Sequence, residues 1–351
     1  MKIAIVFGGA GFIGKHLCAS LLEDGHKVIC VDNFSSSDEN SIPETVFYNK
    51  NFVLSKYDVT KPSVLGETTK LLYRLLGKNG IHTLEYIHIY NLACPASPVQ
   101  YKKDEERTLF ASIDGMRHAL NLAENLSILF PAEKDYVVRV LFTSTSEVYG
   151  DPDISPQHEG YEGKVSLYSD RACYDEGKRA AETLSWIKAR KWKVGPGSHS
   201  KPLVHVARLF NTYGPMMDSD DGRVVSNFIV QALAGKLLTV YGDGSQTRSL
   251  CYVSDTVAGI RTLMDSNEQH FTAFNIGNPD ERQIIEIADE VYGAVTHAEM
   301  PKMRVQFMPL PEADPKQRCP DISRMRALGW EPKVYLSDGI EVTVKYFKRV
   351  L

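Results

Sequence analysis

The segment Gly8-Gly-Ala-Gly11-Phe-Ile-Gly14 lies between the apolar run Lys2–Phe7 and a helical pattern over Ile13–Asp24, and no other stretch constrains the fold as strongly. Glycines at this spacing let the chain turn sharply at Gly8. They also bring bare backbone against a ligand at Gly11 and seat the helix on the strand at Gly14. A helix starting there aims unpaired N–H groups and a partial positive charge at phosphate. Alone, the motif is equally a glycine-rich turn. Asp32, however, ends the second apolar run eighteen residues after Gly14, where a carboxylate accepts both hydroxyls of a ribose. The same carboxylate repels a 2′-phosphate, and Ser35-Ser-Ser-Asp38 adds no arginine to offset it. These residues predict NAD rather than NADP. Asp58-Val59 follows the third hydrophobic stretch, where a side chain could reach the adenine; an aspartate starting a surface turn is an equal reading.

Further apolar runs at Val28–Val31, Tyr86–Leu92, Val138–Ser144 and Leu203–Leu209 alternate with helical patterns at Ser63–Leu76, Thr108–Leu126 and Ser169–Lys191. That order predicts an α/β fold, a Rossmann-type doubly wound parallel sheet with right-handed crossovers. Beyond about Pro215 the pattern becomes irregular, with short strands at Leu238–Tyr241 and Arg304–Met308 and a helix at Val224–Ala234. The expected division is a dinucleotide-binding domain over residues 1–214, then a smaller C-terminal α/β substrate lobe over 215–351, with some interleaving. Gly195–Pro202 reads as an exposed loop.

Composition removes other classes. A net charge of -4 over 351 residues is wrong for a nucleic acid polymer, which needs a basic surface. Six cysteines without a C-x-x-C pair read as reduced thiols rather than a disulfide frame or metal site. No apolar run nears the ~20 residues that span a bilayer, and no leader pattern precedes Lys2. The expectation is a soluble cytoplasmic protein that holds no metal and associates with no membrane.

The chemistry-bearing residues lie further on. Thr143-Ser-Thr-Ser-Glu-Val-Tyr-Gly150 ends a strand, and carboxyl ends of parallel strands are where ligands bind. Tyr174 and Lys178 are four residues apart on a helix and share a face. A phenol titrates near 10, so as a base it needs a cation nearby. Lys178 is expected to supply that field and to hold the nicotinamide ribose, while Thr145 bonds a substrate hydroxyl.

These features resemble the extended short-chain dehydrogenase/reductase family. Asn91-Leu-Ala-Cys-Pro-Ala-Ser-Pro98, Ser144–Pro152, Arg171–Arg179, Asp221–Phe228 and Val240–Arg248 look like its UDP-glucuronate decarboxylase (UDP-xylose synthase) group, over nearly the whole chain. The related dehydratases carry an aspartate, their general acid, where this chain has Ser146. A serine is far too weak an acid for that step.

The resemblance implies UDP-glucuronate as substrate and NAD as cofactor. Tyr174 takes the 4-hydroxyl proton as hydride leaves carbon 4. The 4-ketone makes the carboxylate a β-keto acid that loses CO₂, Glu147 positions the ring or a water, and the returning hydride gives UDP-xylose. The implied cofactor contacts are Gly8, Gly11, Phe12, Ile13, Gly14, Asp32, Asn33, Asp58, Val59, Leu92, Ala93, Tyr174 and Lys178. Around the substrate stand Pro95, Tyr101, Asn211, Arg223, Val224, Tyr241, Arg248 and Arg318, the arginines along the nucleotide and diphosphate. Family members pair the Thr108–Leu126 and Ser169–Lys191 helices across a homodimer.

Four departures from the group pattern keep alternatives open. Met216 stands in place of an arginine, Ser166–Asp170 differs from the usual stretch, Ser112 replaces an asparagine, and Asp38 replaces an arginine of the cofactor loop. The alternatives are 4-oxidation, 4-epimerisation or dehydration of another nucleotide sugar, and a non-catalytic NAD-binding regulator.

Overall fold

The computed structural model describes residues 1–77, 80–129, 137–192, 202–268, 271–297, 303–309 and 317–351. Of the loop expected at Gly195–Pro202, all but Pro202 lies outside those residues. Seven parallel strands form the central sheet: β1 (Lys2–Phe7), β2 (Lys27–Asp32), β3 (Phe52–Lys56), β4 (Tyr86–Asn91), β5 (Val137–Thr145), β6 (Leu203–Leu209) and β8 (Ala273–Ile276). Their spatial order is β8-β6-β5-β4-β1-β2-β3. The chain starts centrally at β1, runs outward to β3, then returns to the other side of β1 at β4. The crevice beyond the carboxyl ends of β1 and β4 is thus the topological switch point, the place where such sheets bind ligands.

Strand β1 explains the burial of both faces. Its residues alternate, as a pleated strand requires. Ile3, Ile5 and Phe7 pack toward α2 (Ser63–Leu76), α3 (Glu105–Leu129) and α4 (Ala172–Lys191), with Leu72, Met116 and Ala181 in the same cluster. Ala4 and Val6 pack toward α1 (Phe12–Glu23) and α6 (Val253–Asp265), through Leu17, Leu21 and Ile260. A third cluster belongs to the C-terminal lobe. It joins Phe228 of α5 (Val224–Leu233), Val240 of β7 (Leu238–Tyr241), Ile287 of α7 (Ile284–Thr296) and Phe347 of α8 (Leu336–Val350). Strand β7 pairs with β9 (Val305–Met308). The main sheet draws strands from both sides of residue 214, because β8 pairs with β6.

Two details set the site. Strand β5 reaches Thr145, one residue past the expected end, so Thr145 is fixed by sheet register opposite Leu209. Helix α4 starts at Ala172 rather than Ser169 because Ser169–Arg171 form a turn. It lies close against α3 at Gly177, where an added Cβ would stand 3.2 Å from the Leu109 carbonyl oxygen. Among the described residues, no helix is long and apolar enough to cross a membrane. None of their His, Cys, Asp and Glu side chains group to hold a metal ion.

Candidate active site

A cleft of about 1530 Å³ opens at the carboxyl ends of the strands, larger than the roughly 300–1,000 Å³ that takes one drug-sized ligand. Its cofactor half is built by backbone. Gly8 has φ +76°, and a Cβ there would stand 2.7 Å from the Ala93 nitrogen; one at Gly14 would stand 2.3 Å from the Gly8 carbonyl oxygen. Only glycine fits either place. Helix α1 opens at Gly11 with no side-chain cap and no acidic residue in its first turn. Its first N–H groups are thereby left for a ligand. Asp32 is buried at the end of β2. Its Oδ2 accepts from Ala10 N at 3.0 Å and its Oδ1 from Phe34 N at 2.9 Å. Burial pushes this carboxyl up, against those hydrogen bonds. A glycine cradle that any Cβ would fill, an uncapped helix and a ribose-height carboxylate together fit a dinucleotide.

The chemical half is built by charge. Thr145, Ser146, Glu147, Tyr174 and Lys178 all line the cleft. The Tyr174 hydroxyl is within hydrogen-bond reach of Thr145, and its ring stacks on Tyr101 with centroids 5.3 Å apart and planes at 12°. Burial pushes the phenol well up, and nearby Cys94 adds to this. The field expected from Lys178 is not what dominates: its Nζ donates to the Thr143 carbonyl at 2.7 Å and lies 5.8 Å from the Tyr174 ring centroid. Glu147 is grasped by two arginines. Arg318 approaches at 3.1 and 3.2 Å, and Arg171 forms an ion pair with Oε2. Burial raises this carboxyl, but Arg318, Arg171 and Arg248 outweigh it and hold it below the usual range.

Arg318 lines the cleft with its side chain already engaged. It is 2% exposed, and its donors go to Ser146 Oγ at 3.1 Å, to Glu147 and to the Gly150 carbonyl. It thus faces a half-buried carboxylate across the cleft wall. Arg223 is likewise engaged, forked onto Asp221 with both contacts at 2.5 Å. Phe12, Ile13, Leu92, Tyr101, Asn211, Val224, Tyr241 and Arg248 line the cleft with Arg223 and Arg318, whereas Asp32, Asn33, Asp58, Val59, Ala93 and Pro95 are not among its lining residues. Asp58 makes the hydrogen bonds of a turn: Oδ1 accepts from Thr60 N and Oγ1, and Oδ2 faces Arg107 at 3.5 Å.

Two charged residues went unassigned in the sequence. Arg171, three positions before Tyr174, was visible only as part of a string. Asp175, next to Tyr174, is buried with Oδ1 lacking a partner among the described residues and Oδ2 3.9 Å from Arg171. Burial and the neighbouring Glu147 charge push it to about 7. The departures also have places here. Met216 adopts left-handed backbone at φ +65° on the cleft wall, and Ser112 Oγ meets Cys94 Sγ at 3.2 Å.

The sequence profile of the NAD dependent epimerase/dehydratase family matches residues 4–277. UDP-glucuronic acid decarboxylase 1 of Danio rerio is 41% identical over 351 residues, spanning 100% of this chain and 73% of that protein. UDP-glucuronic acid decarboxylase 3 of Arabidopsis thaliana is 40% identical over 346 residues, 98% of this chain and 88% of its own. A UDP-glucose 4-epimerase from Thermotoga maritima, solved with UDP-glucose, superposes with a TM-score of 0.77 at 27% identity, covering 100% and 99% of the two chains. The UDP-glucuronic acid 4-epimerase of Bacillus cereus shares the fold with a TM-score of 0.78 at 24% identity, covering 100% of both chains. With a glycine cradle, a Tyr/Lys helix and relatives of one activity matched along the whole chain, the chain belongs to the NAD dependent epimerase/dehydratase family, among its UDP-glucuronic acid decarboxylases.

Proposed function

We propose that this protein converts UDP-glucuronate to UDP-xylose and CO₂ through a 4-keto sugar. The observation that carries the reading is the Thr145-Ser146-Glu147 turn facing Tyr174. It joins a base for the 4-hydroxyl to a site whose residue 146 is no acid and whose Glu147 is held ionised by arginines. When bound, NAD supplies the hydride acceptor for carbon 4 and a cationic ring. Gly8, Gly11 and Gly14 would hold its pyrophosphate, and Asp32 its ribose.

Tyr174 accepts the 4-hydroxyl proton while Thr145 holds that oxygen. Burial keeps the phenol protonated even with Lys178 nearby, so it acts as a base only once further positive charge shares its pocket. With carbon 4 a ketone, the bond from carbon 5 to the carboxylate breaks. Its electron pair enters the C4–C5 enolate, whose oxygen Tyr174 and Thr145 stabilise by hydrogen bonds. Glu147, ionised, is no proton source near neutral pH; it orients the ring or the water that returns a proton to carbon 5. Arg248 and Arg223 serve the nucleotide end, and the diphosphate competes with Asp221 for Arg223. Incubation with NAD and UDP-glucuronate should release CO₂ and UDP-xylose in equal amounts. UDP-galacturonate as product, or no CO₂ at saturating enzyme, would overturn this reading.

The proposed assembly is a homodimer through α3 and α4. Phe110 and Trp186 on these helices are 45% and 44% exposed, and Ile128 is 72% exposed, an apolar face that a second copy would cover. Sedimentation velocity should give twice the chain mass, and Trp186→Asp should shift it to the monomer. A cytoplasmic address rests on six cysteines without a disulfide; cell fractionation tests it.

A further inference from the structure

Lys15 follows Gly14 directly and has no part in the mechanism above. It is 5% exposed and lines the cleft. Its Nζ makes one hydrogen bond, donating to the Ser41 hydroxyl at 3.0 Å. Among the described residues no carboxylate oxygen lies within the 4.0 Å of an ion pair with it. Asp218, Asp38 and Asp32 act on it from farther away, and burial outweighs them, so the ammonium is pushed below its usual value. This is a costly arrangement. A buried cation without a counter-ion is destabilising, and the first turn of a helix, at the positive end of its dipole, is the wrong place for it. The nearby loop Ser35–Asp38 carries no cation of its own. Charge of this sign, at an uncapped helix N-terminus and aimed into the cleft, lacks only an anion.

We propose that Lys15 is a cofactor-binding residue whose remaining N–H donors hold an anionic phosphate oxygen of the dinucleotide. The proposal rests on the reading of this half of the cleft as the NAD site, and it adds the site's own counter-charge. The glycine turn contributes neutral N–H groups and Asp32 a negative charge, so Lys15 brings a full positive charge to the phosphate end of that half.

The test is calorimetric binding of NAD, ADP and adenosine to protein freed of nucleotide, with Lys15→Gln, Lys15→Arg and Ser41→Ala alongside the unaltered chain. Lys15→Gln should weaken NAD and ADP by about ten- to a hundredfold, the worth of a charged hydrogen bond, and leave adenosine unchanged. Lys15→Arg should recover part of the loss. Without nucleotide, Lys15→Gln should melt at a higher temperature than the unaltered chain, because an uncompensated charge has gone. That measurement also certifies its fold. NAD affinity within about twofold of the unaltered chain would overturn the proposal. So would an equal loss in Ser41→Ala, which would make Lys15 an anchor for the 35–41 loop. If the unaltered chain binds no NAD, the cofactor reading itself fails, a result distinct from either.

Discussion

The two halves of the cleft are made in opposite ways. Around Gly8 and Gly14 the site is defined by where a Cβ cannot go, with backbone packed against backbone at 2.3–2.8 Å from that absent atom. Around Thr145–Glu147 it is defined by side-chain charge, with Arg171 and Arg318 on one carboxylate and Asp175 beside them. The first half is a shape and tolerates no added atom. The second is a balance of charges that single substitutions shift by degrees. A cofactor common to many reactions suits the rigid half. On the function proposed above, the fate of the sugar belongs to the adjustable half, where residue 146 is a serine and no acid.

Substitutions can break or sharpen that contrast. The largest effect belongs to Tyr174→Phe, which should lower turnover by about 10²–10⁴-fold while NAD titrates as before. Near-full activity would remove Tyr174 from the chemistry. Glu147→Ala leaves Arg171 and Arg318 together in a buried site without their shared carboxylate. A loss of about 3–5 kcal/mol in urea unfolding is expected, and an unchanged midpoint would show that the charges are not a unit.

Asp175→Asn makes a pH-dependent prediction. The folded carboxyl titrates at about 7 against about 3.9 in an unfolded chain. The folded state therefore holds the extra proton between those values, and Asp175 destabilises increasingly as pH rises through that window. Melting curves should show the variant gaining on the parent from pH 4 to 7, then holding a constant lead. A lead that does not vary with pH would contradict the assignment. The smallest effect should be Tyr101→Leu, which removes the ring stacked on Tyr174. Stacking of this kind is worth about 0.5–1.5 kcal/mol, so turnover should fall about two- to tenfold, and no loss at all would make the stack incidental.

Much of this was legible because the responsible patterns are local. The glycine spacing, the β1 alternation and the i,i+4 pair Tyr174/Lys178 are read within a few residues, and α2 at Ser63–Leu76 coincides with its sequence pattern. Strand β8 was not visible: Ala-Phe-Asn-Ile is too short to register a period, and only its pairing with β6 makes it a strand. The charge nest was hidden for a different reason. Arg171 and Arg318 reach Glu147 across 24 and 171 positions of chain, so no window could show that both guanidiniums close on one carboxylate. For Arg318 the sequence gives the residue type but not its hydrogen bonds to Ser146, Glu147 and the Gly150 carbonyl. Asp58 had two readings, and its hydrogen bonds to Thr60 are those of the turn.

Strand β8 also bears on how the protein is made. Asn275 at its centre takes the Tyr149 hydroxyl on its Oδ1 at 2.7 Å and donates to the carbonyls of Gln157 and Asp321. The segment following the catalytic turn is thus tied down by a residue 126 positions later. During synthesis the dinucleotide half emerges first, but β6 keeps an unpaired edge and Tyr149 lacks its acceptor until residue 276 has left the ribosome. A chain halted after the first 214 residues would carry the whole Tyr/Lys pair on an unfinished sheet, exposed to proteases and to other edges. The turn that carries Thr145 and Glu147 is thus secured only when a strand made 126 residues later has joined the sheet.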